Sequence, residues 1–171
     1  MKLIFVTGLA GIDRKTIVDL AMQRVGKKRE FKVVDFDRIG NVTEDVRNSP
    51  DLETARQVLS KFHGDIEKAV ISDLKEQKGD VIVIGYLTFE TEHGYLKAIP
   101  DNLLQSLKPD NIVILEMGGE KIDPKKDEHQ RINRYYGTMY SSVCDSLLKI
   151  IKFREKRMME AVDELGDLLK Q

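Results

Sequence analysis

Three things are scarce in this sequence: cysteine, long apolar runs, and an excess of either charge. The one cysteine, Cys144, can form no disulfide within the chain, so stability must come from a packed core. In its helix-like setting it reads as a small buried hydrophobe, with a reactive thiol as the alternative. The N-terminal apolar run is only a few residues long, short of a secretory signal or a membrane span, which points to a cytoplasmic chain with no membrane segment. Basic and acidic residues number 28 and 29, a net charge of −1, so the footprint expected of a nucleic-acid binder is missing. His93 and His129 stand far apart without metal-ligand spacing, and no metal site is assigned.

What is present is the composition of a globular domain: 171 residues, 41% hydrophobic and 33% charged, with no low-complexity tract. That length predicts one domain over residues 1–171. Five short apolar runs, Lys2–Val6, Phe31–Phe36, Val81–Ile84, Asn111–Glu116 and Leu148–Phe153, alternate with helical patterns. Alternation of this kind predicts βαβ units on a parallel sheet. The helices are expected over Arg14–Arg24, closed by Gly26 in "GKKR", over Asp51–Lys78 with a break near Gly64, and over Asp101–Leu107. Two more follow, one in "HQRINRYYGTMYSSVCDSLL" and an amphipathic one in "EKRMMEAVDELGDLLK".

The stretch "VTGLAGIDRKT" lies between the first strand and the first helix, where a phosphate-binding loop belongs. A P-loop reads G-x-x-x-x-G-K-[ST], because glycines let backbone N–H groups approach the phosphates and a lysine reaches the β- and γ-phosphates. Counted from Gly8, the second glycine falls on Asp13, the lysine on Arg14 and the hydroxyl residue on Lys15.

Together with two further stretches, this loop resembles the archaeal type of adenylate kinase over nearly the whole chain. "VTGLAGIDRKT" is similar to that family's V-T-G-x-x-G-x-G-[KS]-[ST]-T loop. "HGYLKAIPDNLLQSLKPDNIVILE" is similar to its G-Y-L-P-G-L-P segment with the helix and strand that follow, and "EHQRINR" to its Q-H-Q-x-x-N-R helix start. The resemblance implies a three-layer α/β P-loop kinase fold, a five-stranded parallel sheet with helices on both faces. It also implies ATP on the loop, AMP against the helices after strand two, an arginine-rich lid, magnesium only with nucleotide, and a homo-oligomer, often a trimer.

Carried over residue by residue, the resemblance breaks where the chemistry sits. Gly8, Gly11 and Thr16 match the family loop, whereas Asp13, Arg14 and Lys15 replace its glycine, lysine and serine. The family's D-T-H after strand three falls on Ile84, Gly85 and Tyr86, which removes the acidic group that would help hold magnesium. A shortened lid over about 117–128 keeps Lys121, Lys125 and Lys126 in place of arginines. Arg134 matches the family pattern, and Arg131 stands beside it. Any transfer would rest on Arg14 and Arg134, and any nucleotide contact on Gly8, Gly11, Asp13, Arg14, Lys15, Thr16 and Arg131.

Asp13 stands where an N-cap belongs and is expected to accept from the N–H groups of Lys15 and Thr16, the donors a phosphate would use. The cap stabilises the helix by about 1 kcal/mol and repels a phosphate ~5 Å away by roughly 3 kcal/mol at an effective dielectric of ~20. "DRK" nevertheless keeps the net +1 of "GKS", so attraction for an anion persists at long range. A capped, closed loop, a weak nucleotide site and a chance likeness are the three readings. In "DFDR", Asp35 or Asp37 faces the crevice at the end of strand two, or else lies in a solvated turn. Arg47 and Arg56 read as AMP-phosphate ligands or surface charges, and Tyr135, Tyr136 and Tyr140 as packing, with Tyr135 also a candidate neighbour of a bound base.

The leading functional expectation is a protein that binds a nucleotide or another phosphate ligand and transfers little. The rival is an active ATP-dependent nucleoside monophosphate kinase that recruits Arg14, Lys15, Thr16, Arg131 and Arg134. A third is an ATPase-like assembly factor, against which the near-neutral charge speaks through weak attraction to RNA.

Overall fold

A computed structural model describes residues 1–26, 29–74, 79–119 and 121–171. Lys27 and Lys28 of the predicted helix end, residues 75–78 of the predicted long helix and Glu120 of the predicted lid lie outside the described residues. Five parallel strands form the central sheet: β1 (Leu3–Gly8), β2 (Phe31–Asp35), β3 (Asp80–Ile84), β6 (Asn111–Gly118) and β7 (Leu147–Arg154). Their spatial order is β2-β3-β1-β6-β7. All six residues of β1 are buried, as a strand covered on both faces must be.

Side chains alternate between the two faces of the sheet. Ile4 and Val6 pack with α1 (Arg14–Val25) and α6 (Met158–Lys170), through Ile17, Val18, Ala21, Val162 and Leu165. Leu3 and Phe5 pack on the other face with α3 (Leu52–Leu74), α4 (Asp101–Leu107) and α5 (Pro124–Cys144), through Leu59, Phe62, Ile66, Leu104 and Tyr140. Helices thus cover both faces, the three-layer P-loop kinase architecture. Gly137 lets α5 press onto the sheet, since a Cβ there would stand 2.5 Å from Ile114 Cδ1.

The structure departs from the sequence reading in three places. A short helix, α2 (Val42–Arg47), precedes α3, and an antiparallel hairpin, β4 (Thr88–Thr91) with β5 (Gly94–Lys97), follows β3. The third departure is at Gly64, where α3 runs on unbroken. Nothing lies within 4 Å of a Cβ at that position, so the glycine carries only its propensity cost, about 1 kcal/mol. Among the described residues, no helix is long and apolar enough to cross a membrane.

Candidate functional site

β1 lies between β3 and β6, so the loop after it opens at the crevice where the strand order reverses, the usual ligand position of open α/β sheets. Gly8 ends the strand in a crowded place, where a Cβ would lie 3.0 Å from the Leu115 carbonyl oxygen. Gly11 turns the loop with φ of 95°, in the left-handed region glycine favours. The turn is closed from within. Ile12 N–H donates to Leu9 O at 3.2 Å and Arg14 N–H to Ile12 O at 2.9 Å, while Leu9 and Ile12 themselves are buried.

Asp13 caps α1, through a single neighbour. One carboxylate oxygen accepts from Thr16 N–H at 3.0 Å and the other from the Thr16 hydroxyl at 2.7 Å. The expected bond from Lys15 N–H is replaced by that second bond to Thr16. Both bonds favour the charged form and hold the Asp13 carboxyl below its ordinary value, the hydroxyl contributing most. Lys15 pairs with both carboxylate oxygens of Asp19, one turn along α1.

Arg14, in the position of the P-loop lysine, is turned inward and is only 3% exposed. Its guanidinium donates to Gly8 O at 2.7 Å and to Asp37 Oδ2 at 2.5 Å, and lies 3.8 Å from the centre of the Tyr86 ring. It therefore joins the carboxyl ends of β1, β2 and β3. Asp37 follows β2 in a single helical turn, Phe36–Arg38, that is fixed by the bond from Asp37 N–H to Asp35 Oδ1. Burial pushes the Asp37 carboxyl above its ordinary value, against the opposing pull of Arg14. Thr7 Oγ1, Arg14 Nε and Asp37 Oδ1 are buried without a hydrogen-bond partner around this pair. The residues in the family's D-T-H position complete the arrangement, Ile84 fully buried and Gly85 with Tyr86 against Arg14.

Across the loop lies a cavity of about 590 Å³. Leu9 and Ala10 form one wall, Met117 and Ile122 add apolar surface, and Lys121, Lys126, Lys156 and the Glu160-paired Arg154 and Arg157 outnumber the acidic Asp123 and Glu155 that also line it. Gln130 fixes the base of α5 against this space by accepting from Met117 N–H at 2.8 Å and donating to Met117 O at 3.0 Å. Asp123 caps α5 through Lys125 N–H at 2.9 Å. Nearby, Arg134 is held bidentate by the buried Glu116, both contacts at 2.5 Å, which pushes the guanidinium above its ordinary value. Arg131 is exposed and stands 3.9 Å from Asp127.

A second cavity, of about 250 Å³, lies on the other side of Arg14 and is lined by Asp37, Asn41, Thr43, Glu44 and Tyr86 among others. No cation lines it.

The structure thus gathers Gly8, Gly11, Asp13, Arg14, Lys15 and Thr16 at the crevice, with the charges of Asp13, Arg14 and Lys15 held by internal partners. Arg131 and Arg134 line neither cavity. Tyr140 is buried, and Tyr135 lies exposed away from both cavities. The sequence reading assigned no role to the cluster Arg154–Arg157. Its signal was a basic run, "REKR", at the carboxyl end of a predicted strand.

A family model described as AAA domain matches residues 21–133, a stretch that begins inside α1. An adenylate kinase of Pyrococcus abyssi is 29% identical, with 97% of this chain and 94% of that protein aligned. Adenylate kinases of Methanococcus aeolicus and Methanoculleus marisnigri are 27% and 23% identical, each with 99% of this chain and 98% of the relative aligned.

Proposed function

This chain belongs to the AAA-domain family of P-loop proteins and, within it, to the adenylate kinases, and from that premise we propose a protein that binds a nucleotide-like ligand with little phosphoryl transfer. In this reading residues 1–171 form one cytoplasmic domain with a shortened lid at about 117–128. The observation that carries it is the burial of Arg14 against Asp37 and Tyr86, which withdraws the side chain in the lysine position from the loop mouth.

A magnesium triphosphate fits the loop poorly. Asp13 already takes the N–H and the hydroxyl of Thr16, which in a working loop face the phosphates, and Lys15 stands where the metal-binding hydroxyl belongs. Phosphoryl transfer rests on positioned charge, and here Arg14 and Arg134 are each neutralised by a carboxylate. The 590 Å³ cavity, by contrast, suits a ligand with a flat apolar body and an anionic group. Leu9, Met117 and Ile122 would contact the body, and Lys121, Lys126 and Lys156 the anion.

The second cavity argues the same way for the acceptor. Asp37 and Glu44 line it with no cation among the described lining residues, a poor setting for the dianionic phosphate of a nucleoside monophosphate. Measuring ADP formed from ATP and AMP tests the reading, in the wild type and in a variant carrying Asp13→Gly, Arg14→Lys and Lys15→Ser. The wild type should be near background, and the repaired loop should bind nucleotide better yet show mainly slow ATP hydrolysis. Efficient AMP phosphorylation by the wild type would establish the active-kinase reading instead.

A further inference from the structure

The sheet has a gap where the larger cavity opens. β1 pairs with β6 as far as Gly8 and Leu115, whereas β6 runs on beside β7 to Gly118. From Leu9 the chain turns away into the loop, so Met117 stands two residues beyond the last partner that β1 offers. Its N–H and C=O would be left unpaired in a part-buried wall, a costly state for backbone groups. One side chain takes both. Gln130, 5% exposed on α5, accepts from Met117 N–H at 2.8 Å and donates to Met117 O at 3.0 Å. A carboxamide carries the donor and the acceptor that this pair needs, and the two bonds together fix which way the amide faces.

We propose that Gln130 is the positioning residue of the larger cavity, setting the Met117 wall and the Lys126 cation at one fixed spacing. Met117 packs partly buried against the core on the α1 and α6 face, so holding its backbone holds the apolar surface that it offers a ligand. Lys126 lies four residues before Gln130, one turn back on the same face of α5, and both border the cavity. Asp123 caps that helix start through Lys125 N–H, a local bond that does not reach the sheet. Arg134 ties the next turn of α5 to Glu116 of β6 but borders neither cavity. Gln130 is thus the tie that the cavity itself contains. A ligand that lays an apolar body on Met117 and an anion at Lys126 meets both without rearrangement, and a site held ready in this way binds more tightly than one that must be ordered. This role rests on the nucleotide-like reading of the cavity.

Calorimetric titration with magnesium-free ATP in a double-mutant cycle tests this. Gln130→Met keeps the length of the side chain and loses both bonds. It should weaken ATP binding about tenfold, and the Met117 N–H should exchange with solvent deuterium about tenfold faster or more. Lys126→Ala should weaken binding about fivefold in the wild type and less than about twofold beside Gln130→Met, because a lysine no longer held at its spacing contributes little. Should Gln130→Met fail to fold, Gln130→Asn, whose shorter arm cannot span both Met117 groups, repeats the cycle with the same expected result. A residue that only stabilised the fold would lower the melting temperature and leave the affinity of the folded protein unchanged. Unchanged affinity, or additive losses in the cycle, would overturn the proposal alone. A wild type that binds no ATP would overturn the nucleotide reading and the proposal with it.

Discussion

The loop after β1 and the cavity beside it share Leu9 and Ala10 as a wall, yet their charges are arranged in opposite ways. On the loop side each charge is answered inside the protein, Asp13 by Thr16, Arg14 by Asp37 and Lys15 by Asp19. On the cavity side Lys121, Lys126 and Lys156 face a ligand-sized space, and among the described residues none of them forms an ion pair. A phosphate site can thus close without any change of fold, when side chains take over the donors and cations that a ligand would have used. Binding capacity then lies where the charges are left unanswered.

The largest expected effect tests the closed side. Asp37→Ala strands the buried Arg14 guanidinium and should cost about 3 kcal/mol in urea denaturation, the usual consequence of removing one partner of a buried pair. Pairing Asp37→Leu with Arg14→Met removes both charges and should recover most of that loss. Additive losses in the double variant would mean that the two residues do not act as a pair.

On the open side, Lys121→Glu with Lys156→Glu should weaken ATP binding about tenfold or more in an equilibrium titration. Unchanged affinity would move the ligand elsewhere. The smallest effect concerns the cap. Asp13→Ala should lower stability by about 1 kcal/mol and raise affinity for sulfate or phosphate, by calorimetry and thermal unfolding.

Two carboxylates of the closed side should also respond to pH with opposite sign. The folded-state value of Asp13 is depressed, so its contribution is present above the ordinary value of 3.8 and is lost as pH falls through the depressed one. That of Asp37 is raised, so the folded protein holds its proton more tightly than the unfolded chain. Stability from Asp37 is greatest below 3.8 and declines as pH rises through the raised value. Comparing the pH profiles of Asp13→Ala and Asp37→Asn with wild type should separate the two windows.

Much of this comparison is legible in the sequence, because it depends on local pattern. The five apolar runs marked the strands, and Asp13 stood at a capping position just before the first helical residue. The inward turn of Arg14 is not legible. It depends on Asp37 and Tyr86, residues 23 and 72 positions away, arriving at the ends of neighbouring strands. For the same reason "DFDR" left a ligand contact and a solvated turn open, while the structure makes Asp37 the counter-ion of Arg14. The hairpin of β4 and β5 left little signal, since each strand has only four residues, "TFET" holds a single apolar side chain, and β5 falls inside the family-like segment that begins at His93. The cavity has no local signature at all, since its walls come from three separate loops that only the sheet order brings together.

Calorimetric titration with ATP and with AMP, each with and without magnesium, distinguishes a closed loop from a working one. A closed loop gives a single ATP site, weaker than about 10 µM, whose affinity magnesium does not raise, and no separate site for AMP. Submicromolar, magnesium-dependent ATP binding would contradict it, because such binding needs the loop donors and the lysine-position cation that Asp13 and Asp37 now hold.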